Sequence, residues 1–364
     1  MTDTMPATEG TAPRLVMHVG PHKTATTYVQ NNLDAYRQEL SAAGWIYPDN
    51  VGILPGAPEG HHDLSYRAET YFWPGRENHH QLTDLARTAK LTGKNILLSA
   101  EGFSMWALSQ YLRLADVLGF PKVEVVYALR DPVALLHSYW AEEVKQGMTT
   151  GFPDRIAGDT LDPMRSRLLN PLFDLDPLID SDRIVLRVVP FEVLKATQTD
   201  IFSHICDAVL GLGPLPPRIT GLVNAGFPIE QTEFLRMLTL IHGKGQTGQG
   251  PDLRMRFVRL TTPAEKAEWN ATIRSVAADA MRQVSLPADA FFRVVIENRV
   301  SARVAAYCTL PVQDGTLFNR TPRSLDYYDD YLFWNNPTVK ALAEKVLTRL
   351  FEERPAQQTT GAPG

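Results

Sequence analysis

Four short runs of this chain are apolar nearly throughout: Leu15–Val19, Asn95–Ser99, Val123–Leu129 and 183–189 (RIVLRVV). Most lack the alternation of a half-solvated strand, so each reads as a strand covered on both faces of a parallel sheet. Between them, apolar residues recur at helical spacing over 26–43, 81–92, 132–146 and 191–211. Strand alternating with helix predicts an α/β doubly wound sheet, whose ligands sit at the carboxyl ends of its strands. Elsewhere the pattern thins. Residues 48–80, rich in Pro, Gly and His, read as a long excursion over the active face, and 150–180 as a second, Pro/Asp-rich loop. Residues 243–251 (GKGQTGQGP) read as a flexible connector, and helical spacing returns over 263–284 and 337–350, opened by Thr-Pro and Asn-Pro. The expected organisation is an α/β core over 14–240, with a largely helical extension of the same domain over 252–353. Polar tails at 1–13 and 354–364 read as disordered.

The chemistry concentrates where the first strand hands over to the first helix, in HVGPHKTATT at 18–27. A strand, a Gly-Pro turn, a lysine and a run of hydroxyls opening a helix make an anion cradle. Backbone N–H groups and the positive end of the helix dipole converge there. Lys23 adds a full charge, and Thr24, Thr26 and Thr27 add hydroxyl donors. A phosphorylated nucleotide is the expected ligand, with His22 able to contact it or to satisfy backbone groups.

A second element has the same logic. VEVVYALRDPVALLHSYWAEE runs from a buried strand into a helix and places Arg130 at the strand end. Asp131 suits the N-cap and Pro132 the first helical position. Val133, Leu136, Trp140 and Val144 form the predicted buried stripe, with Ser138 off it. An arginine fork and a serine hydroxyl make a second phosphate site. Two separated phosphate sites suggest a nucleotide phosphorylated at both its 5′ and 3′ positions.

On these residues the chain resembles the sulfotransferases that use 3′-phosphoadenosine 5′-phosphosulfate. KTATT at 23–27 is similar to their Lys-x-Gly-Thr-Thr loop, with Ala25 in the glycine position. Arg130-Asp131-Pro132 with Ser138 is similar to their 3′-phosphate element. RIVLRVVPFEVLKA (183–196) and VNAGFPIEQTEFLRML (223–238) resemble later segments of the family, so the likeness covers about 14–240. The resemblance implies a P-loop-NTPase-like fold and sulfuryl transfer to a hydroxyl or amine of a small-molecule, sugar or lipid acceptor, without a metal. It implies nucleotide contacts from His22, Lys23, Thr24, Ala25, Thr26, Thr27, Arg130 and Ser138. Lys23 would stabilise the leaving oxygen. The branch it points to is the carbohydrate-sulfotransferase-like one. The Arg-Lys-Gly loop of the phenol type is not evident, and Lys244-Gly245 stands in the wrong context.

Glu101, just beyond the second strand in NILLSAEGF, is the expected base; alternatively it caps the next helix. Ser99 and Ser104 read as turn or capping residues. His61 and His62, in the 48–80 excursion, are candidates for acceptor binding or a reserve base, and with Asp63 make only a weak metal pattern. The aromatic runs at 71–73 and 326–334 read as packing, and Trp45 or Trp106 could stack on adenine. If position 25 requires a positive φ, alanine there is strained by roughly 1 kcal/mol or more.

Composition narrows the alternatives. Lys+Arg 36 against Asp+Glu 41 gives a net charge of −5, which argues against nucleic acid as partner. No apolar run reaches the length of a membrane span, and the N-terminus lacks an apolar secretion core. Two cysteines, Cys206 and Cys308, suit a reducing compartment, so a cytoplasmic location is expected. Two other readings compete. A nucleotide-dependent small-molecule kinase would want GxxxxGK[ST], which is missing here. A non-catalytic nucleotide-binding protein of the same fold is disfavoured by an intact Lys23 with Glu101.

Overall fold

The computed structural model describes residues 12–21, 23–221, 226–243, 250–312, 317–318 and 321–352. Most of the expected terminal tails, His22 and most of the 243–251 connector lie outside them. The chain divides into two compact units, each discontinuous in sequence. One gathers Met1–Pro132, Arg167–Asn224 and Val295–Asn319, the other Val133–Ser166, Ala225–Val294 and Arg320–Gly364.

The first unit is built on a five-stranded sheet of β1 (Leu15–Val19), β2 (Trp45–Ile46), β3 (Asn95–Ser99), β4 (Val123–Leu129) and β5 (Ile184–Pro190). Every pairing is parallel and the order is β2-β3-β1-β4-β5. The parallel α/β sheet is therefore as expected. β2 is an addition, too short at two residues to carry a pattern. From β1 the chain runs to β2 and β3 on one side, then to β4 and β5 on the other. The connections thus reverse between β1 and β4, and their carboxyl ends flank the crevice where such sheets take ligands.

One face of the sheet presents Val16, Leu97, Val126, Ala128 and Val189. They pack against Val29 and Leu33 of helix α1 (Thr26–Ala35) and against Phe202, Ile205 and Cys206 of the helix Ile201–Ala208. The helices Leu108–Leu118 and Leu172–Ile179 pack against β4 and β5. The helical pattern at 26–43 breaks at Tyr36 into α1 and Arg37–Ala42. That at 191–211 breaks where Gln198 takes φ 54°, and Asp200 then caps the next helix by accepting from Ser203 N at 2.8 Å. The 48–80 excursion is more ordered than its composition suggested, holding short helices at His62–Tyr66 and Ala68–Phe72. The 150–180 stretch likewise holds the helices Phe152–Leu161 and Leu172–Ile179.

In the second unit, Val133, Leu136, Trp140 and Val144 are buried as the stripe predicted. The expected helix over 263–284 stops at Val276, and Met281–Leu286 (β6) pairs antiparallel with Arg323–Tyr328 (β7). β6, with half of its residues exposed, offers too few apolar positions to mark a strand. A further helix, Gly250–Leu260, follows the connector. Arg236 is buried, its guanidinium donating to Glu233 at 2.7 Å, to the Thr149 carbonyl at 2.9 Å and to Asp330. Burial pushes the Glu233 carboxyl up to about 7 against the pull of Arg236. Among the described residues, no helix is long and apolar enough to cross a membrane.

Candidate functional site

The β1–α1 loop departs from ordinary backbone geometry. Among the described residues only three non-glycine residues have positive φ, and two of them are Lys23 (70°) and Ala25 (63°). Thr24 between them is not one, so the sign of φ alternates along the loop, the arrangement that turns successive N–H groups inward onto an anion. Each left-handed residue with a side chain costs about 1–2 kcal/mol, and such strain collects at ligand clamps. Helix α1 opens from Ala25 without a side-chain cap. Gly20 allows the tight return: a Cβ there would lie 2.6 Å from Thr24 Oγ1. Thr24 Oγ1 donates to the Pro21 carbonyl at 2.8 Å, stapling the turn.

Position 25 therefore does require the positive φ that glycine adopts without strain. Ala25→Gly is expected to stabilise the chain by about 0.5–1 kcal/mol, read as a higher denaturant midpoint. No gain would mean that the loop relaxes around the alanine at no cost.

Neighbouring strand ends close on this loop. Glu101 opens a 3-10 turn, Glu101–Met105, directly after β3, and its Oε1 accepts from Thr26 Oγ1 at 2.8 Å. Arg130, just past β4, donates from Nη1 to the Lys23 carbonyl. Its Nε lies 3.9 Å from Glu192 Oε1, and its guanidinium stands 5.2 Å from the Phe191 ring centroid, both residues following β5. Lys23, Thr26, Glu101 and Arg130 thus come together at one end of the sheet. The hydroxyls of Thr24 and Thr26, expected on phosphate, donate here to the Pro21 carbonyl and to Glu101. Ser138 belongs to the second unit, where its hydroxyl donates to the Leu135 carbonyl at 3.0 Å.

The two histidines of the excursion part company. His61 is fully buried; Ser99 N–H donates to its Nδ1 at 3.0 Å, and its Nε2 lies 3.1 Å from the Pro48 carbonyl. With both ring nitrogens used, it anchors the excursion to β3 and is a structural residue, not the acceptor contact expected of it. His62 is half-buried, stacked on Tyr66 at 6.5 Å. Trp45 and Trp106, considered for adenine, are both buried in packing, with Trp106 Nε1 donating to the Ser65 carbonyl at 2.9 Å. Ser104 is a turn residue, donating to the Glu101 carbonyl.

Two polar residues at the site escaped the sequence reading. His18 is fully buried in β1, its Nδ1 2.8 Å from Ser99 Oγ, while its Nε2 has no partner among the described residues. Burial lowers its pKa to about 4, against an opposing pull from Glu101. Gln30, one turn beyond Thr26 on α1, is likewise fully buried. The available signal was a polar residue at a buried position of an apolar pattern.

A scan against protein-family models and searches among curated proteins and solved structures found no match.

Proposed function

We propose that the chain is a sulfotransferase with a P-loop-like donor site, using 3′-phosphoadenosine 5′-phosphosulfate. The observation that carries this reading is the convergence of Lys23, Glu101 and Arg130 on a loop of alternating φ at the β1–β4 reversal. In this reading the loop's N–H groups and Lys23 hold the 5′-phosphosulfate, and Arg130 takes the 3′-phosphate. The acceptor oxygen attacks sulfur, the bond from sulfur to the 5′-phosphate oxygen breaks, and the acceptor proton passes to Glu101. Thr26 orients that carboxylate. The transferred SO3 unit is neutral, so less charge gathers than in phosphoryl transfer, and a lysine with backbone donors suffices to stabilise the leaving oxygen.

The test is a melting experiment. Added without magnesium, 3′-phosphoadenosine 5′-phosphate is expected to raise the melting temperature. The stabilisation is about 2.7 kcal/mol at a hundredfold excess over Kd. A rise that needs ATP with magnesium would instead assign the site to a kinase.

A further inference from the structure

Arg130 shares an aromatic seat with a second cation. Phe191 opens the helix Phe191–Ala196 directly after β5, and its ring packs against the hydrophobic core. The Arg130 guanidinium stands 5.2 Å from the ring centroid, and Lys195 Nζ stands 5.1 Å from the same centroid. Chain geometry explains the meeting. Leu129 of β4 pairs with Pro190 of β5, so Arg130 and Phe191 leave adjacent strand ends. Lys195 lies one turn after Phe191 on the same helix face, and its stem leans back toward the helix N-terminus. The two positive charges are therefore within about 10 Å of each other, no more than a screening length in 0.1 M salt. Glu192 offsets the arginine, its Oε1 lying 3.9 Å from Arg130 Nε. Lys195 is exposed, and among the described residues its ammonium makes no ion pair or hydrogen bond, only the ring contact. A cation near a helix end also suits the dipole, but that role calls for the last-turn carbonyls, not a ring four residues back.

We propose that Lys195 is the second cation of the 3′-phosphate subsite and sets the preference for a nucleotide phosphorylated at its 3′ position. The proposal rests on the sulfotransferase reading for the identity of the ligand. A phosphate dianion between the guanidinium and the ammonium separates two like charges and neutralises both. Arg130 is the fixed member, donating from Nη1 to the Lys23 carbonyl and paired through Nε with Glu192. Its planar fork sets the direction of the phosphate, whereas the lysine ammonium acts as a point charge on a flexible stem. Within the first unit Arg130 and Lys195 supply the charge, Ser138 belonging to the second. Lys195 is a binding residue and takes no part in the proton transfer.

The experiment measures the Kd of the full chain, by titration calorimetry, for 3′-phosphoadenosine 5′-phosphate and for adenosine 5′-monophosphate. Lys195→Met keeps an apolar stem over Phe191 and removes the charge. It is expected to weaken the 3′-phosphorylated nucleotide about tenfold, the weight of a charge-assisted hydrogen bond, and to leave the monophosphate within about twofold. Lys195→Arg is expected to keep the preference. An equal loss for both nucleotides would overturn the proposal, because Lys195 would then be part of a general positive field. A loss in Lys195→Arg as large as in Lys195→Met would also overturn it, since packing rather than charge would be at work. A parent chain with no preference for the 3′-phosphate would sink the sulfotransferase reading, and the subsite with it. A preference present in the parent and undiminished in Lys195→Met would sink the subsite alone.

Discussion

Glu101→Gln is expected to lower turnover by about 10²–10⁴-fold, the usual contribution of a positioned general base. Nucleotide binding should be unchanged. The amide is nearly isosteric with the carboxylate, and Thr26 Oγ1, which donates to Oε1 at 2.8 Å, can still donate to the amide oxygen. What disappears is the capacity to take the acceptor's proton. Release of 3′-phosphoadenosine 5′-phosphate in single-turnover conditions, set beside the nucleotide melting shift, checks both halves. Unchanged turnover would reduce Glu101 to the cap of its 3-10 turn, the other role its position allows. Loss of the melting shift as well would mean that the carboxylate shapes the donor loop.

The second large effect is on stability toward acid. His18 and His61 are fully buried, and burial lowers each to about 4 from an ordinary value of 6.5. For His61 the Ser99 N–H donates to Nδ1 at 3.0 Å, a bond that a protonated ring would lose. Unfolding exposes both rings, so between pH 6.5 and 4 the unfolded chain binds protons that the folded chain refuses. The stability these rings confer is therefore complete above about pH 6.5. It drains as pH falls toward 4, and does not change further below that. The size is about 3 kcal/mol per ring. Glu233 works in the opposite sense over part of this range. Its folded value of about 7 lies above its ordinary 4.5, so it favours the folded state at lower pH. The comparison that isolates the rings is the slope of unfolding free energy against pH for the parent and for His61→Gln. The variant is expected to lose about half of the slope that His18 and His61 contribute together, and an identical slope would mean that the ring already titrates freely in the folded chain.

Much of the sheet was legible because burial on both faces demands unbroken apolar runs. β1, β3 and β4 begin and end where those runs do, and β5 is displaced by one residue. β6 lies where the pattern predicts the end of a helix, since a strand with only one buried residue carries no such run. At the site, Lys23, Glu101 and Arg130 announced themselves as polar residues at the ends of buried strands. His18 and Gln30 did not, because a polar residue in an apolar stripe looks the same whether its partner is a neighbour, a water or a ligand.

By itself, then, the chain's order of residues determined that a parallel sheet forms and that charged groups cluster at its strand ends, because both follow from local pattern and chain direction. The tertiary structure alone decided where the hydroxyls of Thr24 and Thr26 are spent, that His61 is an anchor, and that Ala25 sits at φ 63°. Those outcomes depend on which side chains from distant segments arrive within hydrogen-bond reach, and the strand order β2-β3-β1-β4-β5 fixes that by laying β3 and β4 on either side of β1.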